Sequence, residues 1–267
     1  MKLFELGPGM VGPIYSLSSK GVLEAKFDTT GALMNRYAVR PNGGVAMVRS
    51  DGATKFVDNF SPDGKYESAV RLDRPPIHFF PDQIAVFRSG EILLSGIQYR
   101  PANKASTAIY TSSGRLVKQL VLDGDSEIEA DAESRSVATT GDDGLVYLMR
   151  STSPAMVYAI SATGDVVRKI VVSAPTETGL PLFGLRVVKN RLAVRIARSC
   201  ENGSSRSHCE GTLYAVLDAV TGRRLVTYEA DTELAGPFAC YAPDPDPFLI
   251  VSTPTGTRLE IIEAEPR

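Results

Sequence analysis

The sequence predicts an all-β fold of the β-propeller kind, with six blades of mostly four antiparallel strands. The first and last blades are expected to be incomplete or shared, and residues 1–267 to form a single domain. Two observations predict this. The first is a phrase of short strand, tight turn and alternating strand that returns along the chain. It stands at Ile109–Leu122 (IYTSSGRLVKQLVL), Tyr158–Val172 (YAISATGDVVRKIVV), Tyr214–Tyr228 (YAVLDAVTGRRLVTY) and, more faintly, Phe60–Leu72 (FSPDGKYESAVRL). Its turn glycines, Gly64, Gly114, Gly164 and Gly222, lie 50, 50 and 58 residues apart. A recurrence of about 50 residues made of short strands is how a blade array is written in sequence. The second observation is the weakness of helical patterning: 23 glycines and 17 prolines are spread along the chain, and apolar residues alternate instead of recurring at three and four.

Taken in order, the chain opens with Gly7–Gly12 (GPGMVG), a formal match to the dinucleotide-binding fingerprint. That motif needs a helix straight after it to receive the pyrophosphate, whereas Pro13 and a loop-like SLSSKG follow, so it reads as a strand entry or an irregular terminus. Phe27-Asp-Thr-Thr-Gly31 repeats the strand–turn–strand phrase. A strand at Gly44–Arg49 and a hairpin ending in Leu72 come next, and the three prolines of Asp73–Pro81 hold that link extended or turning. His78, between Ile77 and Phe79, reads as a packed side chain. Gln83–Arg88, Glu91–Gln98, Thr107–Thr111 and Arg115–Leu122 make the clearest four-strand unit. Its first strand is the most apolar, as expected beside a propeller axis, and its last alternates Leu116 and Leu120 with Lys118, as expected where one face meets water.

Ser126–Ser136 is the best helical candidate, with a capping box at Ser126 and Glu129, but Ile128, Ala130 and Ala132 recur at period two. Arg135–Thr140, Leu145–Arg150, Met156–Ser161 and Val166–Val172 repeat the four strands. Arg191–Arg198 and Gly211–Asp218 then flank the loop Ser199–Glu210. The final unit, Phe238–Ala264, has no clear outer strand, so the N-terminal segment is expected to pair with it and close the ring.

A net charge of −2 offers nothing to nucleic acid or anionic lipid in the total. No stretch approaches the ~18 apolar residues of a spanning helix, and the first residues lack the apolar block, about 7–15 residues long, of a secretion signal. Nucleophilic catalysis has little to work with: His78 and His208 are the two histidines, with no G-x-S-x-G elbow and no H-x-x-x-H pair. Asp63, Asp82, Asp142, Asp143 and Asp244 lie at turns and could reach an axial divalent ion, although turn geometry alone accounts for them.

Three constellations remain. Asp123, Asp125, Glu127, Glu129, Asp131 and Glu133 put six carboxylates at every second position. In an extended chain they form one negative ridge, either a solvated connection or a site for Ca²⁺ or a basic partner. An EF-hand loop would want glycine where Ile128 stands. Basic residues gather later, with Arg191 and Arg195 on one strand face. They are either salt-bridged on outer strands or one of two opposite patches that orient a partner. No aromatic run is interleaved with them, so single-stranded nucleic acid is poorly supported. Cys200 and Cys209 stand near the two ends of one hairpin loop. A disulfide, free thiols, and a metal site with His208 and Cys240 are all readings of that spacing. The disulfide would place the protein in an oxidising, extracytoplasmic compartment.

At YTSSGRLVKQLVL, YAISATGDVVRKIVV and FDTTGALMNRYAV the chain resembles the NHL-like and quinoprotein-like β-propeller repeats. It lacks the tryptophan docking positions of the quinoprotein type and the WD dipeptide of another class. The resemblance implies a ring of four-stranded blades with partners or ligands at the mouth of the central channel, and transfers no catalytic residue. The expected function is therefore a non-enzymatic binding or scaffolding propeller, monomeric and without a resident cofactor. The alternative is a metal-dependent six-bladed hydrolase or lyase.

Overall fold

The computed structural model describes residues 2–5, 14–17, 22–28, 37–75, 79–99, 104–122, 136–150, 155–172, 182–197, 212–230, 238–240, 247–252 and 259–263. Every regular element among them is a strand. These are β1 (Lys2–Glu5), β2 (Ile14–Leu17), β3 (Leu23–Phe27), β4 (Tyr37–Val39), β5 (Val45–Asp51), β6 (Thr54–Phe60), β7 (Tyr66–Arg71), β8 (Phe79–Val86), β9 (Ile92–Gln98), β10 (Lys104–Tyr110) and β11 (Leu116–Leu120). They continue as β12 (Ser136–Thr140), β13 (Val146–Arg150), β14 (Ala155–Ile160), β15 (Val166–Val172), β16 (Leu182–Val188), β17 (Arg191–Ala197), β18 (Thr212–Asp218), β19 (Arg224–Ala230), β20 (Phe238–Cys240), β21 (Pro247–Ser252) and β22 (Leu259–Glu263).

The described strands form six antiparallel meanders: β1–β3, β4–β7, β8–β11, β12–β15, β16–β19 and β20–β22, the first and last three-stranded and the others four-stranded. The first five sheets pack face to face in succession. Ile14, Ala25 and Phe27 of the first meet Val45, Met47 and Phe60 of the second. The other face of the second, with Ala46, Val48 and Val57, meets Ile84, Ile92 and Leu94 of the third. The third meets the fourth through Leu93, Ile109, Leu148 and Ile160, and the fourth meets the fifth through Met149, Val157, Leu192 and Val194. Because the second, third and fourth sheets are covered on both faces, central strands such as β13 (VYLMR) and β14 (AMVYAI) are apolar at nearly every position, each fully buried large side chain contributing about 1.5–3 kcal/mol. The first strands of the sheets stand side by side, β4 next to β8, β8 next to β12 and β12 next to β16. Thr140 Oγ1 donates to Val86 O at 2.8 Å and the Ala138 amide to Gln83 Oε1 at 3.4 Å along that inner row.

Ile84–Val86 of β8 and Phe87 just after it are buried, and Asp82 and Gln83 before them are half-open. Three expectations change. Phe27 and the chain after it do not form a hairpin within one unit, since β3 and β4 belong to different sheets. The N-terminal strand β1 pairs with β2 in the first sheet instead of completing the last. Ser136, the end of the helical candidate, begins β12, and the rest of that segment lies outside the described residues, as does His78.

The recurrent phrase closes the outer hairpin of each middle sheet. At Thr111–Arg115 the Gly114 amide donates to Thr111 O at 2.9 Å, and the Thr111 amide donates to Arg115 O at 2.9 Å. The ladder shifts register beside the turn, at Ile109/Tyr110, which makes this a type I turn closed by a glycine bulge. Ser61–Lys65 and Ser161–Asp165 repeat the bonds, while the turn around Gly222 is one residue longer, with the Gly222 amide donating to Asp218 O. The chain between β17 and β18, 14 residues against 4 between β13 and β14, lengthens this interval to 58, partly offset by 9 residues between β15 and β16 against 15 between β11 and β12.

Gly114 meets two demands at once. Its φ is +86°, and a Cβ there would stand 2.1 Å from Arg71 O on the preceding outer strand. The Asp73 amide, just past β7, donates to Gly114 O at 2.8 Å. Gly64 sits in the same way on Lys26 O of β3, whereas Gly164 and Gly222 face side chains of the preceding outer strand, Lys118 of β11 and Ile170 of β15. Each outer strand therefore starts against the end of the one before. Gly144 is the control: its φ is +84°, but a Cβ there would meet nothing within 4 Å. Gly144→Ala should cost only the left-handed backbone penalty, about 1–2 kcal/mol. Gly114→Ala should exceed about 2 kcal/mol because the turn must also move off Arg71. Guanidinium unfolding of the two variants checks this, and equal losses would contradict the seating.

Candidate functional site

The two ends of the inner strands differ. At one end each first strand turns straight into the second, through Arg40–Gly44, Phe87–Glu91, Gly141–Leu145 and Lys189–Asn190. These turns touch from sheet to sheet: the Lys189 amide donates to Asp142 Oδ2 at 2.9 Å. An antiparallel meander puts its remaining connections, second strand to third and fourth strand to next sheet, at the other end. Those range from two residues between β5 and β6 to 15 from 121 to 135 and 14 from 198 to 211, so the long connections all lie at this end.

The sequence candidates divide accordingly. Asp123, Asp125 and Glu127, with the rest of the acidic run, lie outside the described residues, as do Cys200, Cys209, His208 and Asp244. Arg191 opens β17 next to a tight turn, exposed, with Val188 and Asp218 as its cross-strand partners. Arg195 lies four residues along the same strand, opposite Gly184 and Tyr214.

Asp63, Asp143 and Asp218 are engaged by their own turns, Asp142 by the Lys189 amide of the next sheet's turn, and Asp82 lies within β8 instead of at a turn. Asp143 accepts from Tyr147 Oη at 2.8 Å, Arg168 Nη2 at 3.0 Å and the Leu145 amide at 3.1 Å. Burial first, and the bond to Asp143 second, push the Tyr147 hydroxyl well above its ordinary pKa. This network ties a tight turn to the outer strand β15, and Arg168 Nη1 reaches on to Ala219 O at 3.4 Å. Asp218 is held below the ordinary carboxylate range by the Thr221 amide first and by the Thr221 hydroxyl. Among the described residues no group of three or more His, Cys, Asp or Glu side chains converges on a point.

Two arrangements were missed by sequence reasoning. Arg150, at the end of β13, is fully buried between the third and fourth sheets. It donates to Ser95 Oγ at 2.7 Å and Thr107 Oγ1 at 2.6 Å, and Thr107 donates to Ser95 at 3.2 Å. Hydroxyls on facing positions of β9 and β10 in an otherwise apolar layer were its signal, legible only once the register was known. The other arrangement is a cavity of about 440 Å³ at the tight-turn end, between the second and third sheets. Its described lining is Arg40, Pro41, Asn42, Asn59, Val86, Phe87, Arg88, Gly90, Ile92 and Ser112. Arg40 Nη1 is fixed by Glu67 Oε2 at 2.5 Å and by Phe60 O at 3.4 Å. Val86 and Ile92 are buried and make an apolar floor, while the Phe87 side chain packs on the other face of the third sheet, against the fourth.

Asp63 supplies a direct test of turn duty against ligand duty. Lys65 Nζ at 2.7 Å and the Ser61 hydroxyl hold its carboxyl at a pKa of about 2, against an ordinary 3.8. Because the folded value is the lower one, this contribution is present above pH 3.8 and fades as pH falls toward about 2. Lys65→Ala should move the Asp63 midpoint upward toward 3.8 in a carboxyl-carbon NMR titration. An unchanged midpoint would mean that the turn does not hold the carboxylate.

No family model matches the sequence, and no curated protein matches it. Solved structures do resemble the fold. A gluconolactonase from Xanthomonas campestris aligns at TM-score 0.55 and 14% identity, covering 95% of this chain and 79% of that one. The Dos1 propeller aligns at TM-score 0.52 and 10% identity, over 94% of this chain and 64% of that one. A protein of unknown function from Bacteroides caccae aligns at TM-score 0.54 and 13% identity, over 82% and 75% of the two chains. At such identities the likeness concerns architecture alone. Face-packed antiparallel sheets, a row of inner strands and these neighbours make the chain an all-β protein of the propeller class.

Proposed function

We propose that the chain is a six-bladed propeller of the NHL-like or quinoprotein-like kind, acting as a binding or scaffolding module whose ligand or partner sits at the channel mouth. The six sheets would be the blades, the first lacking its inner strand and the last its outer one. The observation that carries the binding reading is the asymmetry of the two ends. Tight turns close one end, while the opposite strand ends carry the long connections, where binding residues usually reside. Those connections include the acidic run with Asp123, Asp125 and Glu127, which would take Ca²⁺ or a basic partner, and the loop with Cys200 and Cys209. Arg195, nearer that end of β17 than Arg191, would supply the opposite charge.

A second reading, a metal-dependent hydrolase or lyase, is favoured by the gluconolactonase among the structural neighbours. The two separate on a lactone assay combined with metal analysis of the purified protein. On the binding reading, gluconolactone opens no faster with protein than in buffer, with or without added Ca²⁺, Mn²⁺ or Zn²⁺. Hydrolysis that requires a stoichiometric divalent ion and stops with chelator would replace that reading with the enzymatic one. The compartment is addressed separately by thiol titration of denatured, unreduced protein. A Cys200–Cys209 disulfide leaves one reactive thiol, that of Cys240, whereas three reactive thiols would remove the bridge and the extracytoplasmic placement with it.

A further inference from the structure

The cavity between the second and third sheets lies at the end opposite the proposed mouth, and its chemistry is one-sided. Its described lining holds two guanidiniums, two amides and a hydroxyl, and no carboxylate. Arg40 is already committed: Glu67 neutralises it and, with Phe60 O, fixes its plane. Arg88 differs. It stands exposed at the second position of the Phe87–Glu91 turn, and among the described residues no carboxylate pairs with it. Beneath these polar groups Val86 and Ile92 form a dry base, walled on one side by Pro41.

The geometry points to a second ligand site here, one that takes a small monocarboxylate with an apolar body. The volume of about 440 Å³ falls within the usual range for small-molecule pockets. The carboxylate meets the planar fork of Arg88, where two parallel N–H···O bonds are available. Asn42, Asn59 and Ser112 lie around the rim to bond its remaining lone pairs, and the apolar body covers the floor made by Val86 and Ile92. A bare oxyanion would meet the charge but leave that floor wet. A neutral molecule of the same shape would cover the floor but leave Arg88 unanswered. Arg40, locked by its own partner, shapes the wall without adding a second unbalanced charge, which selects one negative charge over two.

The test uses the full chain and benzoate as probe, with benzamide as its neutral counterpart and inorganic phosphate as an oxyanion without a body. Binding is read by calorimetry and by ligand-observed NMR. Benzoate should bind saturably, benzamide and phosphate at least about tenfold more weakly. Arg88→Gln should weaken benzoate by about tenfold or more, the usual cost of removing a charged hydrogen-bond partner. Arg88 is exposed in a turn, so this variant should keep the parent melting temperature. Arg115→Gln, at an exposed turn arginine outside the lining, should leave binding unchanged. Benzamide binding as well as benzoate, phosphate binding better, an unaffected Arg88→Gln, or no saturable binding would each overturn the site. None of these readouts depends on lactone hydrolysis or metal, so failure here is distinct from failure of the mouth reading.

Discussion

The structure depends on a backbone seat. At Gly64 and Gly114 the turn that opens an outer strand comes against the backbone of the outer strand before it, an approach that only a residue without a Cβ can make while holding a positive φ. Gly114 against Arg71 O is the clearest instance, and the amide of Asp73 closes the contact from the other side. Once the seat is made, the apolar faces behind it are brought together. The same geometry that orders the rim thus aligns Val48 and Val57 with Ile92 and Leu94 one layer inward. The hydrophobic layers supply most of the free energy, but they are nearly featureless sheets of Val, Ile and Leu, and such surfaces fix no register on their own.

Polar groups inside the layers add specificity where apolar packing gives little. Arg150 crosses from the fourth sheet to Ser95 and Thr107 of the third. Arg49 occupies the corresponding place on β5, with a two-pronged pair to the buried Asp58 of β6 at 2.7 and 3.2 Å. Both lie toward the end of the second strand of a sheet. The Arg150 bonds penalise sliding of one sheet along the next, whereas the Arg49–Asp58 pair fastens two neighbouring strands of one sheet.

What the sequence could reveal follows from how far each signal reaches. The hairpin turns were legible because a type I turn with a glycine bulge is decided within five residues, and its glycine recurs with the sheet. Strand identities were legible for the same reason: alternation and turn residues bound β9, β11, β13 and β15 to within a few residues. The first sheet was not. Phe27-Asp-Thr-Thr-Gly31 carries the right residues for a hairpin, yet β3 ends a sheet there, and the local pattern is silent on which strand comes next in space. The cavity was equally hidden, since Asn42, Ser112 and Arg88 each satisfy a turn on their own terms. Only the packing of the second sheet on the third turns three unrelated turns into one wall.

The seat can be observed in solution at a single amide. Asp73 is exposed and belongs to no strand, so its one protection from exchange is the bond to Gly114 O across the boundary between two sheets. Residue-resolved hydrogen exchange should find the Asp73 amide as slow as the amides of β7. Exchange at the rate of an open loop would mean that consecutive outer strands do not abut, and the succession of face-packed sheets would lose its support.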